Sequence, residues 1–155
     1  GKLVPDDVII GIVSERVAQP DCANGFILDG VPRTIPQAEA LEAAGIHFDR
    51  VISIEIEDAV IEARMTGRRV CGSCGASYHI AAHPPKVEGV CDACGKELVI
   101  RKDDAPETVK NRLKVFHAET EPLKNFYEKL GVLKLVEGNQ PIESATKDIL
   151  AALGV

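Results

Sequence analysis

Two cysteine pairs, Cys71-x2-Cys74 and Cys91-x2-Cys94, stand sixteen residues apart in a chain of 155, and no other feature limits the possible folds so strongly. Two thiolates three positions apart in a tight turn grip one face of a tetrahedral ion, and knuckles separated by roughly 15 to 20 residues have the spacing of structural zinc sites. Gly75 and Gly95 follow the pairs, where such a knuckle often needs a positive φ. Four thiolates close the coordination shell, so the expected Zn²⁺ is structural, and its binding energy doubles as folding energy for a segment with little apolar periodicity of its own. Two disulfides within the same loop, or His79 or His83 as ligands, are the alternatives at this point. Cys22 stands apart, with no histidine near it in sequence, and reads as a small, partly buried thiol.

Around this segment the pattern is regular. Pro5, Asp6 and Asp7 precede apolar residues at helical spacing from Val8 to Val17, with the acids at the positive end of the helix dipole. Gly25 to Gly30 is short and apolar between turn residues, and predicts a buried strand ending at Asp29. Thr34 and Gln37 form a capping box for a helix that Gly45 stops. Val51 to Ile56 predicts a second strand, and Asp58 is expected to cap a third helix carrying Arg64 and Arg68. Glu107 to Lys129 predicts one long amphipathic helix, Val132 to Val136 a third strand, and Pro141 to Leu153 a closing helix. Strands alternating with helices specify a parallel sheet in an α/β fold. The expected division is core (1–69), inserted zinc-binding lid (70–100) and core (101–155). Three strands make a narrow sheet, the first residue is not methionine and no strand feeds the first helix, so N-terminal strands are expected to be missing before Gly1.

Acidic residues outnumber basic ones, 24 to 18, for a net charge of -6, which argues against general affinity for nucleic acid or anionic membrane. No stretch approaches the roughly 18 uncharged residues of a membrane span, and no export signal is evident. Yet five of the eight arginines, Arg64, Arg68, Arg69, Arg101 and Arg112, flank the cysteine-rich insertion. Such a concentration in an acidic chain suits capture of a small polyanion such as a phosphate ester, although a solvated helix face paired with Glu62 or Asp103 would look the same. At the end of the first expected strand, Asp29 could hold hydrated Mg²⁺ and Arg33 could take a phosphate, since ligands of parallel sheets bind beyond the carboxyl ends of the strands.

Taken in order, Gly1-Lys2-Leu3-Val4-Pro5-Asp6, Asn24 through Thr34, Gly67-Arg68-Arg69-Val70, the four-cysteine lid, Pro84 through Gly89 and Arg101-Lys102-Asp103-Asp104 resemble adenylate kinase of the long-lid, zinc-containing bacterial type. That resemblance implies a three-layer, P-loop kinase-like parallel core and reversible phosphoryl transfer, ATP and AMP giving two ADP, with Mg²⁺ accompanying ATP. It also implies a cytoplasmic monomer without nucleic-acid or membrane partners. By position, Lys2, Val4, Gly30, Arg33 and Gln37 would form the AMP site, with Arg33 on the phosphate and Gln37 on the adenine edge. Arg64, Ser77, Tyr78 and Gln140 would border ATP. Arg68, Arg101 and Arg112 would surround the phosphates, oriented by Asp103 and Asp104, with Asp29 directing Mg²⁺ through water. Preplaced guanidinium groups stabilise charge on the transferring phosphoryl group, and lid closure excludes water that would otherwise accept it.

Two departures accompany the resemblance. Val31 stands where the family usually has phenylalanine, a change of packing rather than of charge. No G-x-x-x-x-G-K-[ST] phosphate loop occurs in the sequence, so the chain by itself is expected to be nearly inactive. A non-catalytic nucleotide-binding half, or a zinc-ribbon module gripping nucleic acid through Arg68, Arg69 and Arg101, are the competing readings.

Overall fold

The computed structural model describes residues 4–155, which divide into two compact units: 4–55 with 114–155, and 56–113. Lys2 lies outside the described residues.

In the first unit, helix α1 (Asp6–Val17) starts behind Pro5 with two acids in its first turn, as the dipole favours. Helix α2 (Ile35–Ala43) is capped by Thr34, whose hydroxyl accepts the Gln37 amide at 3.2 Å. Strand β1 (Val51–Glu55) pairs in parallel with β5 (Leu133–Glu137), with Val51 opposite Leu133. The closing helix α6 (Ile142–Leu153) ends at a left-handed Gly154. Helix α5 (Leu123–Lys129) contributes Leu123 and Tyr127 to one core cluster with Ala38, and Val13, Leu41 and Ile46 form another. Burial pushes the Tyr127 phenol up to about 12, and its hydroxyl has no hydrogen-bond partner among the described residues.

The second unit holds helix α3 (Asp58–Thr66) and a three-stranded antiparallel sheet of β2 (Arg68–Cys71), β3 (Ser77–His79) and β4 (Leu98–Val99), with β2 central. Residues 70–100 lie inside this unit. Helix α4 (Pro106–Val115) follows a short helical turn at Lys102–Asp104.

Three expectations change. Residues 25–28 form no strand, and Ile27 is 89% exposed; among the described residues the parallel sheet has only β1 and β5, so the run has no strand there to bond, and a parallel strand depends on such neighbours and on cover over both faces. Asp58 is the first helical residue rather than the cap of α3, and the capping position, Glu57, makes no side-chain cap bond. The single helix expected over 107–129 is three segments. After α4, residues Phe116–Thr120 widen into a π turn in which the Glu121 amide reaches back to the Phe116 carbonyl at 2.8 Å, and Pro122, which has no amide hydrogen, precedes α5.

Candidate functional site

The four cysteines converge as their spacing requires. Cys71 ends β2 and Cys91 begins the second knuckle; both are buried, while Cys74 and Cys94 are exposed. Their sulfurs all lie within 4.8 Å of one another, with Cys71 to Cys94 at 3.4 Å and Cys74 to Cys91 at 3.6 Å. A tetrahedron of sulfurs about 2.3 Å from Zn²⁺ has edges of roughly 3.8 Å, so the cage fits that ion. Each knuckle closes with a backbone bond, Gly75 to Cys71 at 2.9 Å and Gly95 to Cys91 at 2.8 Å, and both glycines have positive φ. The Tyr78 hydroxyl, followed by the Cys94 and Ala93 amides, draws the Cys91 thiol down to about 6, and the Cys74 and Ser73 amides lower Cys71. Cys94 is pulled down by the Lys96 amide but pushed up to about 12 overall by hydrogen bonding with Cys71 and Cys74.

The histidines are occupied elsewhere. His79 Nδ1 accepts the Ala81 and Ala82 amides, each at 3.1 Å, and His83 stacks on Tyr78 with ring centroids 5.9 Å apart. Cys22 lies 3.0 Å from the Arg16 guanidinium, which also pairs with Asp21.

In the same unit, three of the expected phosphate arginines lie at Asp103 and Asp104, Arg68 on Asp104 and Arg101 and Arg112 on Asp103. Asp104 is fully buried and takes two bonds from Arg68, Nε at 2.8 Å and Nη2 at 2.6 Å. This contact, aided by the charges of Arg68, Arg101 and Arg112, holds the Asp104 carboxyl below its usual range despite burial. Asp104 in turn raises Arg68. Asp103 is exposed; its carboxylate lies 3.9 Å from Arg101, and its carbonyl accepts from Arg112 at 3.5 Å. Asp104 thus binds Arg68 directly and feels the charge of Arg101 and Arg112, while Arg101 stays half exposed. Arg64 is exposed on α3. Ser77 is exposed on β3, whereas Tyr78 turns into the cysteine cluster.

The other unit holds the remaining expected site residues. Arg33 is exposed; its Nε donates to the Gly30 carbonyl at 2.7 Å, and its amide donates to Gln37 Oε1 at 2.7 Å. Gly30 adopts φ +74°, and a Cβ there would stand 2.9 Å from Arg33 Nη2. Gln37 is buried, with Nε2 donating to Asp6 at 2.8 Å, so it braces this loop. Asp29 is exposed and its carboxylate has no partner among the described residues, leaving it free as a hard oxygen donor of the kind Mg²⁺ takes. Val4 is exposed. The Gln140 side chain is tied to the Glu137 carbonyl and Asp148, both at 2.8 Å. Val31 packs with the Val13–Leu41–Ile46 cluster.

Sequence reasoning did not single out Asp6. Its carboxylate joins Gln37 to Thr34 across about 30 positions, and its place in a first helical turn offered an ordinary explanation.

A family model described as adenylate kinase matches residues 1–132. An adenylate kinase of Carboxydothermus hydrogenoformans is 55% identical over 157 residues, covering 99% of this chain and 73% of the relative. Those of Lachnospira eligens and Caldicellulosiruptor saccharolyticus are 52% and 53% identical, covering 99% and 100% of this chain and 74% of each relative.

Proposed function

We propose, since the chain belongs to the adenylate kinase family, that it takes part in reversible phosphoryl transfer between ATP and AMP to give two ADP. The observation that carries this reading is the set of guanidinium groups around Asp104. Transfer through a loose, charge-spread transition state calls for fixed cations rather than covalent chemistry, and a buried carboxylate fixes Arg68 while its charge acts on Arg101 and Arg112. In this reading Arg68, Arg101 and Arg112 hold the transferring phosphates, and Arg33 holds the AMP phosphate. Gln37 offers its remaining amide hydrogen to the adenine edge, and Gly30, Val4 and Lys2 complete the AMP wall. Arg64, Ser77 and the backbone at Tyr78 and Gln140 border ATP, the Tyr78 ring being turned into the cysteine cluster. Mg²⁺ bound with ATP would neutralise phosphate charge, and Asp29 would direct its water shell.

Residues 70–100 act as a lid whose shape depends on Zn²⁺ held by Cys71, Cys74, Cys91 and Cys94, a reading supported by the sulfur spacing. No helix among the described residues is long and apolar enough to cross a membrane. The nucleic-acid alternative loses support because Arg69 Nη1 donates to the Thr66 and Arg68 carbonyls and the chain carries a net charge of -6.

These 155 residues contain no glycine-rich phosphate loop, so their turnover alone is expected to be strongly depressed. Coupled ADP-formation assays on the chain and on the same chain carrying the N-terminal portion of a relative test this. AMP-dependent ADP formation by the extended chain supports the reading, and its absence there rejects it.

A further inference from the structure

The Tyr78 side chain occupies a position in the lid that nucleotide binding does not explain. It is 7% exposed and packs with Cys71, Cys91 and Leu98. Its hydroxyl accepts the Asp92 amide at 2.9 Å and lies 3.6 Å from Cys91 Sγ. With a lone pair given to that amide, the hydroxyl hydrogen needs an acceptor, and Cys91 Sγ is the only one facing it among the described residues. A metal-bound thiolate carries no proton, so in that pair the phenol must donate.

From this geometry we infer that Tyr78 is a positioning residue of the metal centre, its hydroxyl holding the Cys91 thiolate while fixing the second knuckle through Asp92. The inference rests on the zinc reading of the lid. Groups that hydrogen-bond to metal ligands hold them in the orientation the metal needs, and losing one weakens metal binding about 10- to 100-fold. Cys71 has no comparable hydroxyl: its neighbours are the knuckle amides and Cys94. The cage is therefore asymmetric, with one of its two buried sulfurs bonded to a side-chain hydroxyl. The stack of Tyr78 on His83, with rings 6° from parallel, belongs to the ring and would survive loss of the hydroxyl.

Tyr78→Phe in the full chain separates these contributions. Competition with a chromophoric chelator is expected to show Zn²⁺ bound at least tenfold more weakly. In the Co²⁺-loaded protein the thiolate-to-metal charge-transfer band should move to longer wavelength, because a thiolate freed from a hydrogen bond gives up electron density more readily. Unchanged affinity and an unchanged spectrum would overturn the role of Tyr78, while a wild-type chain that takes up no Zn²⁺ would overturn the zinc reading itself. Should Tyr78→Phe not fold, iodoacetamide mapping of the metal-loaded wild type provides the test. Cys91 is expected to react more slowly than the equally buried Cys71, and faster reaction at Cys91 would contradict the inference.

Discussion

Arg68 and Asp104 meet through two parallel bonds across 36 positions of sequence, with the carboxylate wholly buried and the guanidinium 35% exposed. The pair joins β2 to the turn before α4 and orients a cation that remains partly open to a ligand. Removing the carboxylate leaves that cation half-buried without its partner. Fully buried pairs broken in this way lose about 3 to 5 kcal/mol; the exposure of Arg68 reduces the expected cost of Asp104→Ala to about 2 kcal/mol. Urea unfolding measures it, and a loss below about 0.5 kcal/mol would show that the pair does not organise this unit.

Acid should expose the same interaction. Asp104 is held below the usual carboxylate range first by its bonds from Arg68, and Glu55 first by the Ser53 hydroxyl and then by Lys124. A carboxyl depressed in the folded state stabilises the fold above its unfolded pKa, and that contribution is lost as pH falls through the folded value. Stability from these groups should therefore hold steady down to about pH 5 and decline below about pH 4. Asp104→Asn should flatten part of that decline. Equal slopes in wild type and variant, both measured by urea unfolding, would remove Asp104 from the account.

Chelation should act locally. The core of the cysteine segment consists of Cys71, Tyr78, Cys91 and Leu98, with Ala76 packed against it, too few apolar groups to hold a fold without metal. Stripping the ion should abolish amide protection over 68–99 while α2 and β1, which have their own clusters, stay protected. Hydrogen exchange with and without chelator reads this directly, and uniform loss over the whole chain would contradict it.

At the AMP side, Arg33 and Gly30 should fail together. In the extended, active chain, Arg33→Ala removes a charge-assisted phosphate contact worth about 1.5 to 3 kcal/mol, or roughly 10- to 100-fold in AMP KM, with a smaller change for ATP. Gly30→Ala places a Cβ on a φ of +74° and against Arg33 Nη2, so it should cost about 1 to 2 kcal/mol of stability and weaken AMP as well. Steady-state kinetics in both substrates provide the comparison, and equal effects on AMP and ATP would refute the division of roles.

Much of this was legible from residue order alone. Cysteine spacing gave the cage because a two-residue gap dictates the knuckle, and Thr34 with Gln37 gave the N-terminus of α2 because capping is local. What depended on partners distant in sequence was harder to read. The run from Gly25 to Asp29 has the composition of a strand but no strand beside it. The long helical pattern after Glu107 concealed a π turn, which depends on backbone bonding that side-chain spacing does not record. The turn of Tyr78 toward sulfur also went unread: alternation along a three-residue strand gives its face but not what lies opposite.

The central claim is that the cations around Asp104 receive polyphosphate. Titrating the isotopically labelled chain with two adenosines joined through five phosphates, while following the arginine Nε–H resonances, tests it most directly. Arg68, Arg101 and Arg112 are expected to shift together and to saturate at one equivalent. Binding that leaves those three unmoved and shifts Arg16 or Arg50 instead would contradict the claim.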